Sequence, residues 1–180
     1  AECAAAKGLS VTVIDPVGLG QSFSGVMHLA DYAERVINSR IWTQTQQIEQ
    51  QLGELNEHME KVIQMYLRSD YATIADYNRQ AGTIAEKYHF VVVADFPNAF
   101  SETAAKRLLS IATSGARCGV YTLIHWDRRQ PLPQDFAPED LRQGSVSVTK
   151  GREFAFTENL IPGAALVLDA PPSVDLATDF

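Results

Sequence analysis

No G-x-x-x-x-G-K-[ST] phosphate loop occurs in these 180 residues. A ready-made cradle of backbone N–H groups and lysine for a nucleotide's phosphates is therefore missing. Cysteine is nearly absent as well: Cys3 and Cys118 stand far apart and near no histidine cluster, which reads as two unpaired thiols in a reducing compartment rather than a disulfide framework. No stretch approaches the ~18 uninterrupted apolar residues of a membrane span, and Ala1–Lys7 lacks the basic start and apolar run of a signal peptide. A cytoplasmic location without direct membrane insertion is expected. Basic residues are outnumbered, 15 Lys and Arg against 22 Asp and Glu, for a net charge of −7. Their densest cluster is Arg128-Arg129, flanked by Asp127 and Asp135. Tight binding of DNA by the isolated chain is not expected from such a surface.

Histidines are equally sparse. His28, His58, His89 and His125 are not at metal-ligand spacing. By periodicity His58 belongs on a helix surface, and His125 reads as a partly buried structural histidine. Ser101 and Ser114 have no His–Asp arrangement that would make either a nucleophile.

What is present is an ordinary globular composition, 46% hydrophobic and 21% charged, in a chain long enough to bury one core. Leu9 to Ile14 reads as a strand stopped by Asp15-Pro16. A glycine-bearing loop follows through Gly18, Gly20 and Gly25. Gly18-Leu19-Gly20 lacks the third glycine of a dinucleotide fingerprint, since residue 23 is Phe, and reads as a turn. From about Thr43 to Leu67, apolar residues recur at Ile48, Leu52, Leu55, Met59, Val62 and Tyr66, the stripe of a long amphipathic helix with Glu54, Glu57 and Glu60 in solvent. Arg68-Ser69-Asp70 ends it. A short helix spans Ile74 to Gln80 between an N-cap at Thr73 and a stop at Gly82, and another runs from Ser101-Glu102 to about Thr113, before Gly115. Phe90–Ala94 and Gly119–Ile124 read as buried strands. Beyond Asp127, prolines 131, 133 and 138 mark an extended loop. Ser145–Thr149 and Glu153–Thr157 read as a hairpin about Lys150-Gly151-Arg152, and Ala165–Leu168 as a last strand.

The alternation of strand and helix predicts an α/β three-layer sandwich around a mostly parallel sheet, with a β-hairpin appendage. A core domain over 1–130 and a loop, hairpin and tail over 131–180 are expected, the second packed on the first. In open α/β sheets ligands bind outside the C-terminal ends of the strands. Asp95, delivered there by Phe90-Val91-Val92-Val93-Ala94, stands where a nucleotide's metal ion would be held. As a simpler alternative, Asp95 caps the turn into Pro97. Asp15 before Pro16 has the same simple explanation.

The order of Val11-Thr12-Val13-Ile14-Asp15-Pro16, Ile74-Ala75-Asp76-Tyr77-Asn78, Val91-Val92-Val93-Ala94-Asp95, Ser114-Gly115-Ala116-Arg117-Cys118-Gly119 and Val120-Tyr121-Thr122-Leu123-Ile124 resembles the motor domain of the FtsK/SpoIIIE family of DNA translocases, over about residues 9 to 130. The resemblance implies a P-loop NTPase-like fold, incomplete here because the phosphate loop falls before Leu9. It matches Asp95 to the aspartate that holds magnesium and Phe96 to the catalytic glutamate. Trp126 and Asp127 match polar residues that sense the γ-phosphate. Those four form a vestigial metal and nucleotide site. Arg117 is a candidate contact to a neighbouring subunit, with a local salt bridge as its default. The family uses ATP and magnesium; this chain is expected to hold neither cofactor and to carry no catalytic residue. Its expected partners are other motor domains, with DNA met only through an assembled ring. The alternatives are an active translocase, for DNA or protein, whose phosphate loop lies outside this chain, and a peptide-binding module using Gln130–Pro138 and the hairpin.

Overall fold

A computed structural model describes residues 8–25, 27, 37–68, 70–150, 154–156 and 169–170. The chain enters a parallel sheet with β1 (Leu9–Ile14), whose β-branched run ends at Asp15-Pro16. A second strand follows, β2 (Ile37–Trp42), in a stretch whose sequence pattern indicated no element. Asn38, Ser39 and Arg40 interrupt its apolar residues and hide it from a hydrophobicity pattern. It pairs with β1 in parallel, Ile14 facing Trp42.

The long helix α1 (Thr45–Val62) begins two residues later than the periodicity indicated. It buries Ile48, Leu52, Leu55, Met59 and Val62 and widens into a π turn over Ile63–Leu67. Helix α2 (Ile74–Ala81) opens on a complete capping box: Thr73 accepts from the Asp76 N–H while the Asp76 carboxylate accepts from the Thr73 N–H. Gly82, at φ 56°, ends it.

Strand β3 (Tyr88–Phe96) is longer than expected and takes in Asp95 and Phe96. Helix α3 (Glu102–Ser114) starts at Ser101, whose Oγ accepts the Ala104 N–H, and leads to β4 (Val120–Trp126). A one-turn-plus helix α4 (Pro138–Arg142) and the antiparallel pair β5 (Val148–Lys150) and β6 (Phe154–Phe156) complete the described elements. The hairpin's turn at 151–153, the Ala165–Leu168 strand, His28 and Cys3 lie outside the described residues.

The sheet order is β2-β1-β3-β4, parallel throughout, so β3 is an interior strand. One face carries Ile14, Val91, Val93 and Val120 against the apolar stripes of α1 and α3. Those helices are locked together by polar contacts. Arg107 of α3 donates to the Glu49 carbonyl at 2.7 Å, and Asn56 bridges the Leu52 and Arg107 carbonyls. Gly53 keeps a helix-interior position because a Cβ there would come within 3.0 Å of the Arg107 guanidinium. Cys118 is a free, buried thiol whose pKa burial raises. Among the described residues no helix is long and apolar enough to cross a membrane.

His58 is not on the surface. Its ring leans on that of His89 across the α1–β3 seam, centroids 4.6 Å apart, and its Nε2 is buried without a partner. Burial, with the neighbouring His58 and Lys87 charges, pushes His89 down to about 4; burial also lowers His58, against a nearby Glu86. A group whose folded pKa lies below its unfolded value of about 6.5 stabilises the fold fully above that value and loses its contribution as pH falls toward 4. Urea unfolding at pH 7 and at pH 4.5 is expected to show a loss of roughly 2 kcal/mol that a His89→Phe variant reduces by at least half. An identical pH profile for that variant contradicts the assignment.

Candidate functional site at the C-terminal sheet edge

Strict alternation along β3 would turn Asp95 to the helix-covered face beside Val91 and Val93, and Phe96 to the opposite face. The structure reverses both. The register with β4 shifts between Val93 and Phe96: Val93 faces Ile124, yet Phe96 faces Trp126. Two β3 residues, Ala94 and Asp95, thus stand against His125 alone, a β-bulge. Asp95 absorbs the extra residue at φ 53°, a left-handed conformation that aspartate tolerates better than most side chains.

The bulge sorts the sequence-predicted site residues into two groups. Phe96 points inward, fully buried, edge-on to Phe100 (5.1 Å) and tilted against Phe136 (5.3 Å). Trp126 packs against the same core, with its indole N–H buried and unpartnered. Asp95 and Asp127 stay at the edge. The Asp95 Oδ1 lies 3.1 Å from His125 Nδ1, and the Asp95 backbone N–H points to that same nitrogen at 3.3 Å. A neutral imidazole accepts from the N–H there; a protonated one donates to the carboxylate. His125 is 69% exposed in its side chain rather than partly buried. The Asp95 carbonyl, not its carboxylate, organises the following turn, accepting from the Asn98 backbone and side chain.

Asp127 is held by Arg129 in a two-pronged ion pair, Nε to Oδ1 at 2.8 Å and Nη2 to Oδ2 at 3.0 Å, with the Arg129 N–H adding a third bond. Those bonds hold the Asp127 carboxyl down at about 2, so it is ionised at any physiological pH. Arg117 sits at the other end of β4, where its Nε donates to the Ala72 carbonyl at 2.9 Å rather than to a carboxylate. It takes no part in this edge.

One strand over, Asp15 is buried at the end of β1. Its two oxygens accept the N–H groups of Gly18 (2.9 Å) and Gly20 (3.0 Å), closing the loop on itself. The glycine at 18 is required by that carboxylate: a Cβ would lie 2.5 Å from Oδ2. Asp15 is structural. Among the described residues no group of three or more His, Cys, Asp or Glu side chains could hold a metal ion. What the edge offers is one partly exposed carboxylate, Asp95, beside an imidazole, and a second carboxylate already neutralised. The Asp95–His125 contact escaped the sequence because only the bulge brings the two to one face.

No protein-family profile matches the chain, and no curated protein does. Among solved structures it is similar to the conjugation coupling protein TcpA of pCW3, in its monomer form with ATPγS: 19% identity, TM-score 0.49, over 65% of this chain and 34% of that one. It is also similar to the cytoplasmic domain of the type VII secretion ATPase EccC of Thermomonospora curvata: 20% identity, TM-score 0.41, over 76% of this chain and 15% of the other. The chain thus spans about a third or less of either protein.

Replacing Asp15 by Ala leaves two loop N–H groups without acceptors and is expected to cost about 2 kcal/mol in urea unfolding. Gly18→Ala should cost a comparable amount by driving a methyl into the carboxylate. Wild-type stability in both would show that the loop does not depend on this contact.

Proposed function

We propose that this chain is an ATPase-like domain of the FtsK/SpoIIIE type that has kept the sheet and lost the chemistry, and that it serves in the cytoplasm as a structural or regulatory partner of active motor domains. Phe96 carries this reading. Hydrolysis of a nucleoside triphosphate needs a group that orients the attacking water beside the metal-binding aspartate. The residue that follows Asp95 is a phenylalanine wedged between Phe100 and Phe136, turned away from the edge. Trp126 faces the core in the same way, and Asp127 is tied up by Arg129. These side chains support a role through binding other motor domains rather than through a nucleotide.

A second reading has one observation in its favour. Among the described residues β4 has no neighbour on its outer side, and the adjoining face exposes Leu123 (68%) and Phe90 (42%). Parallel sheets are normally covered on both faces. A further parallel strand bearing a phosphate loop could pair there, making this chain part of an active translocase. The Pro-rich segment gives less support to a peptide-binding module, because Leu132 and Phe136 pack into the core.

Calorimetric titration with ATP and magnesium should detect no tight binding and no turnover; micromolar affinity with hydrolysis overturns the inactive reading. Phe96→Glu is expected to lose at least about 3 kcal/mol of stability without gaining ATPase activity, since it buries a carboxylate among aromatic rings.

A further inference from the structure

We infer that the loop after β1 is a rigid apolar tip, and that Val17 and Leu19 of one molecule dock on the bare half of the sheet in a second copy of this chain. The tip is built against local preference. The buried Asp15 carboxylate accepts the N–H groups of Gly18 and Gly20, and between those two anchors Leu19 is held at φ 49°. Glycine or asparagine takes that left-handed conformation far more readily than leucine. Leu19 is nonetheless 71% exposed and Val17 58% exposed, so packing within the molecule does not offset the strain. Strain of this kind, in a loop fixed by buried bonds, is accounted for by a contact outside the molecule.

A surface that suits the tip lies on the same chain. Across the β3–β4 ladder Phe90 faces Tyr121 and Val92 faces Leu123, and the Phe90 and Tyr121 rings stack with centroids 5.3 Å apart. Phe90, Tyr121 and Leu123 are all exposed. Val13, in register with Val92 on the same face of the sheet, is only 2% exposed. The bare strip is therefore confined to β3 and β4, about 10 Å across. Parallel sheets are normally covered on both faces, and an uncovered aromatic and aliphatic strip marks a contact surface. None of Val17, Leu19, Phe90, Val92, Tyr121 and Leu123 is charged, so two molecules of net charge −7 meet where neither presents a like charge. Tip and strip are different surfaces, so the contact is heterologous, one copy donating and the other receiving. Two aliphatic side chains on a strip of this width bury less than the roughly 1,200 Å² at the lower bound of stable complexes, and the association is correspondingly weak. It does not depend on whether the sheet edge handles a nucleotide.

Sedimentation velocity of the full chain tests this from about 5 to about 300 μM, the range in which an interface of that size shows itself. The mean mass of wild type should rise with concentration. Val17→Ser/Leu19→Asn removes the tip and Leu123→Thr weakens the strip; each should associate about tenfold less tightly. An equimolar mixture of the two variants should recover association and stop at a dimer, because one retains the strip and the other the tip. Asparagine suits the left-handed position and threonine suits a strand, so both variants fold, which cooperative thermal melting verifies. A wild type that stays monomeric throughout refutes the contact. So does either variant associating as wild type does, or a mixture that associates no better than its components, the result an isologous pairing of β4 edges would give.

Discussion

The single extra residue at the end of β3 determines what the sheet edge can do. Placing Ala94 and Asp95 opposite His125 rotates everything beyond by one position. Without the bulge, Asp95 would enter the helix-covered core, and an ionised carboxylate there would be costly without a partner. With it, the carboxylate reaches the edge and meets an imidazole, while Phe96 enters the core in its place. Packing follows from that exchange. Phe96 anchors Phe100, at the turn leading into α3, and Phe136, in the Pro-rich loop, so one aromatic cluster joins the strand end to both segments that come after it. The loop's position in turn governs α4, and α4 carries Arg142 to the Trp126 ring.

Most of the layered architecture was legible in the sequence, for identifiable reasons. The α1 stripe repeats at helical steps across five buried residues, and Thr73 and Ser101 announce helix starts through hydroxyls that accept a first-turn N–H. The apolar runs of β3 and β4 marked them as parallel strands, but they are buried on one face alone, since Phe90, Tyr121 and Leu123 are exposed. Strand β2 was illegible because Asn38-Ser39-Arg40 carries no apolar alternation; its pairing to β1, not its own composition, makes it a strand.

The edge was only half legible. Asp95 and Asp127 could be placed there from the strands that precede them. The directions of Phe96 and Trp126 could not, since they depend on a left-handed residue that nothing in the sequence distinguishes from an extended one. The same applies to the histidines. Helical periodicity put His58 on the surface, but α1 lies close enough to β3 for its ring to rest on His89. His125 runs the other way, onto an open face. Arg142 reaches the Trp126 ring only through the fold of the loop between them, a contact outside the reach of any local pattern.

The aromatic side chain of Phe96 does more than fill space at the sheet edge. The space Phe96 fills is closed by Phe100 and Phe136 and lined by apolar side chains of the sheet and helices. A carboxylate at this position would have to stay buried and neutral, or else pull the strand end outward and leave the aromatic cluster without its centre. Either outcome disturbs the loop that follows, because Phe136 belongs to both the cluster and the loop. Phe96 thus ties the end of β3 to the packing of the loop that follows. That packing holds the strand end, the turn into α3 and the Pro-rich loop in one aromatic cluster.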